Sequence, residues 1–290
     1  MGFKNNLNEL AGFTKRFLKY AAYAPQNLNN ILQIQIDEYL NRHLHNNPKY
    51  DEQGKLNKFE FQVFSQNGED GIIEEIFKRI GETNKFFAEI ACGNGLENNS
   101  AYLIHKGWNG LWIDGNIDYI EKIRTQYLEP ISSGRLTVTN ALVTAENIEE
   151  LLSSARTPKE LDLLTIDVDG NDFHLWRAIN EFRPRVLIIE YNAMFPPTMK
   201  WVMDYSPTKK WSYTSHFGAS LKSLEILGIE KGYSLVACCF SGVNAFFIRN
   251  DVLQDIFAAP YTAEHHYEPP RYFLKRKLGF EREFGKFKNL

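Results

Sequence analysis

Between Phe64 and Asn250, short apolar runs alternate with amphipathic stretches, a pattern that predicts strands separated by helices. Strands are expected at 86–92 (FFAEIAC), 110–116 (GLWIDGN), 134–143 (GRLTVTNALV), 161–169 (LDLLTIDVD) and 185–193 (RVLIIEYNA). Helices are expected between them at 117–128, 146–155 and 171–182, and a glycine turn at 93–107 opens another. After a polar, aromatic insertion at 192–217 come a helix at 218–232 and two strands, 233–240 and 244–250, joined by SGV. Strands alternating with helices pair in parallel, because each crossover helix packs back onto the sheet. The last two strands are close enough in sequence for an antiparallel hairpin. The predicted fold class is therefore α/β: a Rossmann-like seven-stranded sheet, mainly parallel, closed by a C-terminal antiparallel hairpin.

The first fifty residues differ in texture. Phe3, Leu7, Leu10, Phe13, Phe17 and Ala21 recur at helical spacing with Lys4, Lys15, Arg16 and Lys19 around them. Pro25 is expected to break that run, and Leu28, Ile31, Leu32, Ile36, Tyr39 and Leu40 form a second pattern ending near Pro48. The expected organisation is an N-terminal helical extension (1–50), an α/β domain (51–250) and a basic, aromatic tail (251–290). The helices read as a cover over the main domain, and they offer a surface for homo-oligomer formation. A formal net charge of −3 gives no basis for wholesale nucleic-acid binding. No apolar run approaches the ~20 residues of a membrane span, and the N-terminus lacks the apolar core of a secretory signal. Three cysteines, two of them adjacent, do not make a disulfide framework. A cytoplasmic protein is expected.

The stretch AEIACGNGLENN (88–99) places Gly93 and Gly95 between a strand and a helix, where backbone can come close to a ligand. A dinucleotide fingerprint would require a third glycine where Asn98 stands. Its absence, with Glu89 inside the first strand, favours an adenosyl ligand without a pyrophosphate, S-adenosylmethionine (SAM). Asp114 ends the second strand about twenty-five residues on, suited to accepting both ribose hydroxyls. Cys92 reads as small pocket lining beside SAM. The alternative is a tight turn with Asp114 as a helix cap.

The stretches FSQNGEDGIIEEIF, NNSAYLIHKGWNGLWIDGN and LDLLTIDVDGNDFHLW resemble the motifs S-Q-x-G-E-D, N-S/T…G-W-x-G-x-x-I-E/D and I-D-x-E/D-G of FkbM-type SAM-dependent methyltransferases. The resemblance covers roughly 64–250 and implies the seven-stranded class I methyltransferase sheet. It also implies that Gln66 and Glu69 border the SAM pocket, with Glu89, Gly93 and Gly95 as its floor. Asp114 would hold the ribose, with Asn140 and Ala141 near the adenine. That family mostly O-methylates sugars and natural products. Asp169 stands where the family usually has Glu, and residues 1–50 and 251–290 have no clear family counterpart.

In TIDVDGND (165–172) three carboxylates follow an apolar run. An EF-hand is excluded, because the sixth and twelfth positions from Asp167 hold Asp172 and Ala178 instead of Gly and Glu. Asp167 and Asp169 end the fourth strand and share a face, as do Glu190 and Asn192 at the end of the fifth. Such hard oxygens suit a divalent cation, Mg²⁺ or Mn²⁺, with Asp167, Glu190 and Asn192 as ligands. Asp169 is then a ligand or the general base, and Asp172 reads as a helix cap. His216, just before a helix in the insertion, is a second candidate base; His174 reads as structural. The insertion's aromatic residues, with Lys200, Lys209 and Lys210, suit a saccharide or nucleotide-sugar. The expected activity is SAM-dependent O-methylation of a saccharide hydroxyl assisted by a divalent cation. The rivals are a metal-dependent glycosyltransferase using Asp167-x-Asp169, which leaves the acid-glycine-acid order unexplained, and a non-catalytic scaffold, which leaves the strand-tip acids unexplained.

Overall fold

The structure, a computed structural model, describes residues 2–209, 211–275 and 282–285. Lys210, and the side chains of Phe3, Leu7, Leu10, Phe13 and Phe17, lie outside the described residues. The chain forms two compact units, Met1–Asn46 and Asn47–Leu290. In the first, one helix, α1 (Gly2–Tyr39), continues through Pro25 and passes into a π-helical turn at Leu40–His45. The expected break at Pro25 does not occur. A proline removes one helical donor at ~3 kcal/mol, and the backbone on either side keeps its own bonds. Among the described residues, no helix is long and apolar enough to cross a membrane.

The second unit alternates helix and strand as the pattern predicts. In chain order it runs α2 (Glu69–Ile80), β1 (Phe86–Ile90), α3 (Ala101–His105), β2 (Asn109–Asp114), α4 (Ile117–Gln126), α5 (Leu128–Ser132) and β3 (Leu136–Asn140). It continues α6 (Ile148–Ser154), β4 (Leu163–Ile166), α7 (Asp172–Ala178), β5 (Val186–Glu190), α8 (Leu221–Lys231), β6 (Tyr233–Cys238), β7 (Asn244–Arg249) and α9 (Ala263–His266). The sheet order is β3-β2-β1-β4-β5-β7-β6, with β1 to β5 parallel and β7 antiparallel to both neighbours. This is the expected Rossmann-like seven-stranded sheet, mainly parallel, with the predicted antiparallel hairpin inserted beside β5. Strand residues alternate between two cores: Ala88, Leu111, Leu164, Leu187 and Phe247 on one face, Phe87, Trp112, Leu163, Ile188 and Phe246 on the other.

The two edges of the sheet treat their acids differently. At the entry edge, buried Asp162 accepts N–H bonds from Thr83, Asn84 and Lys85 and pairs with Arg185 at 2.8 Å. Burial pushes its carboxyl upward, but the Arg185 guanidinium and these N–H groups outweigh burial and hold it below its ordinary value. At the exit edge, where ligands bind in open α/β sheets, Asp167, Asp169 and Glu190 have no such counter-charge among the described residues.

Candidate cofactor and active site

The loop after β1 is held by backbone bonds, with Ala91 and Cys92 N–H groups both donating to the Ile113 carbonyl. Ala91, Gly93 and Gly95 all adopt left-handed backbone, at φ 61°, 59° and 79°. The two glycines do different jobs. A Cβ built at Gly93 would meet nothing within 4 Å, so this position opens onto free space. A Cβ at Gly95 would lie 3.0 Å from Trp112, 3.1 Å from Tyr127 and 3.2 Å from Ile123. Gly95 therefore packs closely against the core. Cys92 is likewise 3% exposed, within the Phe87–Trp112 core. Ala91 is exposed in a conformation that disfavours a side chain. Ala91→Gly is expected to stabilise the fold by about 0.5–1 kcal/mol, read from denaturant unfolding.

Asp114 sits at the tip of β2 and is nearly buried. One oxygen accepts the Gly93 N–H at 2.9 Å and the other the Asn116 N–H at 2.7 Å. Each oxygen keeps a lone pair. Burial raises its pKa, with the two N–H bonds opposing. Asn140, its register partner on β3, and Ala141 both donate to the Asp114 carbonyl, so the predicted ribose and adenine residues do stand together.

Glu89 and Glu69 are buried and already engaged. Glu89 accepts the Asn99 and Ser100 N–H groups and the Ser100 hydroxyl, tying β1 to the start of α3; burial raises its pKa to about 7 against those bonds. Glu69 accepts the Asn67 N–H, the Asn67 amide and the Asn244 amide. Gln66 is half-buried on the same loop, its carbonyl accepting from Gln62. Next to Glu69, one oxygen of Asp70 accepts the N–H groups of Val63, Phe64 and Ser65 and shapes that loop.

At the tips of β4 and β5, one carboxylate oxygen each from Asp167, Asp169 and Glu190 lie within 4.8 Å of one another. Burial, then the neighbouring acids, push Asp167 and Glu190 well above the ordinary carboxylate range; burial also raises Asp169. Asp169 is the exposed member and has φ 55°. Asp172 is fully buried and is the first residue of α7, not its cap: it accepts the Val168 and Gly170 N–H groups and so holds the preceding loop, while Asn171 stands at the N-cap without a side-chain capping bond. The Oε2 atom of Glu190 is buried with no hydrogen-bond partner among the described residues. This donor set suits a hard divalent cation. Asn192 is engaged elsewhere. Its amide donates to the Ser215 and Phe217 carbonyls and so pins the insertion, while its oxygen accepts the Met194 N–H.

The insertion is anchored at both flanks of the site. Asn171 donates to the Ser206 carbonyl, and the Tyr205 hydroxyl donates to Glu146 and accepts the Ala145 N–H. His174 contacts the Met203 carbonyl, as a structural histidine would. The Nδ1 atom of His216 lies 2.9 Å from Lys209 Nζ. An ammonium can only donate, so Nδ1 is the acceptor and the ring proton sits on Nε2. His216 is exposed, and in this arrangement its Nδ1 is occupied by Lys209. Trp211 and Tyr213 are exposed with ring centroids 4.8 Å apart. Sequence reasoning also missed Tyr272, from the tail, whose pKa is pushed up to about 12 by burial and then by the Glu190 carboxylate.

No protein-family model matches the chain, and no curated protein matches it. Solved structures of similar fold include a Klebsiella pneumoniae protein assigned as an O-methyltransferase (12% identity, TM-score 0.45, covering 77% of this chain and 99% of that one). They also include the mitomycin 7-O-methyltransferase MmcR (14%, TM-score 0.36, 61% and 53%) and the glycopeptide N-methyltransferase MtfA with bound SAM (11%, TM-score 0.36, 61% and 85%). The chain spans about half the length of MmcR and of the pyocyanin biosynthetic protein PhzM, 53% and 54%.

Proposed function

We propose that the chain is a SAM-dependent O-methyltransferase acting on a saccharide hydroxyl, in a nucleotide-sugar, a polysaccharide or a glycosylated natural product. The observation that carries this reading is the free space over Gly93 beside Asp114, on the same sheet edge as the uncompensated Asp167, Asp169 and Glu190. The motifs resembling FkbM-type enzymes support it. SAM would be held by close backbone approach at Gly93, by the free lone pairs of Asp114 on the ribose, and by Asn140 and Ala141 beside the adenine. When bound, SAM supplies a methyl group on a sulfonium.

The protein's share of the work is positioning and proton removal. Asp169, exposed and raised from its ordinary carboxyl value by desolvation, accepts the acceptor hydroxyl's proton. Trp211 and Tyr213 offer exposed ring faces for a sugar. A divalent cation at Asp167 and Glu190 would orient the hydroxyl and lower its pKa.

Calorimetric titration of SAM into EDTA-treated protein tests the reading. Wild type should bind in the micromolar range. Asp114→Ala should bind roughly 30-fold or more weakly, because each hydrogen bond to a charged group contributes ~1.5–3 kcal/mol. Folded wild type that binds no SAM would sink the proposal.

A further inference from the structure

We infer that Asn244, in place of Asn192, supplies the amide oxygen of a divalent-cation site whose carboxylates come from Asp167 and Glu190. The inference rests on the proposed methyl transfer for its purpose, and on geometry alone for its existence. Asn244 opens β7 and is the register partner of Glu190 on β5. Paired residues of antiparallel strands put their side chains on one face, with Cβ atoms ~4.5–5.5 Å apart. Asn244 is 2% exposed. Its Nδ2 donates to Glu69 Oε1 at 2.9 Å, and because a carboxylate can only accept, that bond fixes which end of the amide is oxygen.

The Oδ1 that remains is buried and, among the described residues, has no hydrogen-bond partner; Glu190 Oε2 shares this condition. A buried acceptor left unmade costs about 1–3 kcal/mol. Here two such acceptors stand on register-paired residues, and a carboxylate oxygen of Asp167 lies within 4.8 Å of one from Glu190. Unsatisfied buried acceptors on paired strand ends, beside a cluster of carboxylates, call for a cation. Their all-oxygen character selects Mg²⁺, Mn²⁺ or Ca²⁺ over softer metals. Two carboxylates and one amide oxygen leave coordination positions for water and for the acceptor hydroxyl, with Asp169 at the exposed rim. Glu69 is the residue that orients the amide.

The test is titration of Mn²⁺ into metal-stripped full-length protein, followed by loss of the free-ion electron paramagnetic resonance signal. Wild type should bind one Mn²⁺ per chain in the micromolar range, displaceable by Mg²⁺. Asn244→Ala should weaken binding by roughly tenfold or more, the scale of losing a supporting group at a metal site. Glu190→Gln keeps the shape and removes one of the crowded charges. In EDTA it should melt no lower than wild type, so its loss of Mn²⁺ binding reads coordination and not unfolding. Absence of binding up to millimolar Mn²⁺, or a folded Asn244→Ala with wild-type affinity, overturns the inference. SAM titrated into the same EDTA-treated sample separates the two proposals: SAM binding without Mn²⁺ binding removes only the cation site, and the converse removes only methyl transfer.

Discussion

Gly93→Ala should strongly weaken SAM binding with little loss of stability, whereas Gly95→Ala should mainly destabilise the fold and leave the affinity of its folded fraction much less affected. At Gly93 the added methyl touches no protein atom within 4 Å, so the variant bears only the strain of a side chain at φ 59°, about 1–2 kcal/mol. That methyl would occupy the space over the loop that the proposed SAM site uses, and affinity should fall by roughly 100-fold or more. At Gly95 the methyl lies 3.0–3.2 Å from Trp112, Tyr127 and Ile123, all fully buried. Overpacking of this kind costs about 1–3 kcal/mol beyond the strain. The Tyr127 hydroxyl also donates to the Gly95 carbonyl, so the displaced ring carries the loop with it. Calorimetry for SAM and urea unfolding, run on both variants, decide the matter. Equal loss of SAM affinity in folded samples of the two would mean that the glycines share one role.

This division of labour shows what the sequence can convey. The sheet is legible because its period-two apolar runs, separated by helical ones, reflect burial on two faces, a property local to each segment. Pro25 misleads because its local penalty for a helix does not decide the element, and α1 continues through it. The glycines are legible as a loop, but which of them has open space around it depends on Trp112 and Tyr127, 17 and 32 positions beyond Gly95. Pairing Glu190 with Asn192 requires strand alternation to continue past Glu190. Instead β5 ends there, and the Asn192 oxygen turns back to the Met194 N–H. Asn244 carries no local signal at all. Its place beside Glu190 comes from an antiparallel register between positions 54 apart in the chain. His216 stands out by its position in the insertion, while its tautomer is set by Lys209.

Asp169→Asn should lower kcat by about 10²–10⁴, the usual contribution of a positioned base, with SAM affinity unchanged. The replacement is unusually clean. Asp169 is exposed, and asparagine tolerates left-handed backbone as readily as aspartate, so φ 55° is no added strain. Two pH profiles check the assignment. A base must be unprotonated to act, and desolvation holds Asp169 above the ordinary carboxylate value. Wild-type kcat/KM should therefore rise with pH along a limb lying above ~4, and the variant should lose that limb. For stability the sign is opposite. A carboxyl whose folded pKa is raised binds its proton more tightly in the folded state, so it favours folding in acid and opposes it as pH rises through the folded value. Asp169→Asn should thus gain stability relative to wild type at pH 8 compared with a pH below the ordinary carboxyl value of ~4. A variant that keeps kcat within tenfold of wild type would transfer the base role elsewhere. A variant that loses activity but keeps the acidic limb would identify another group as the one titrating.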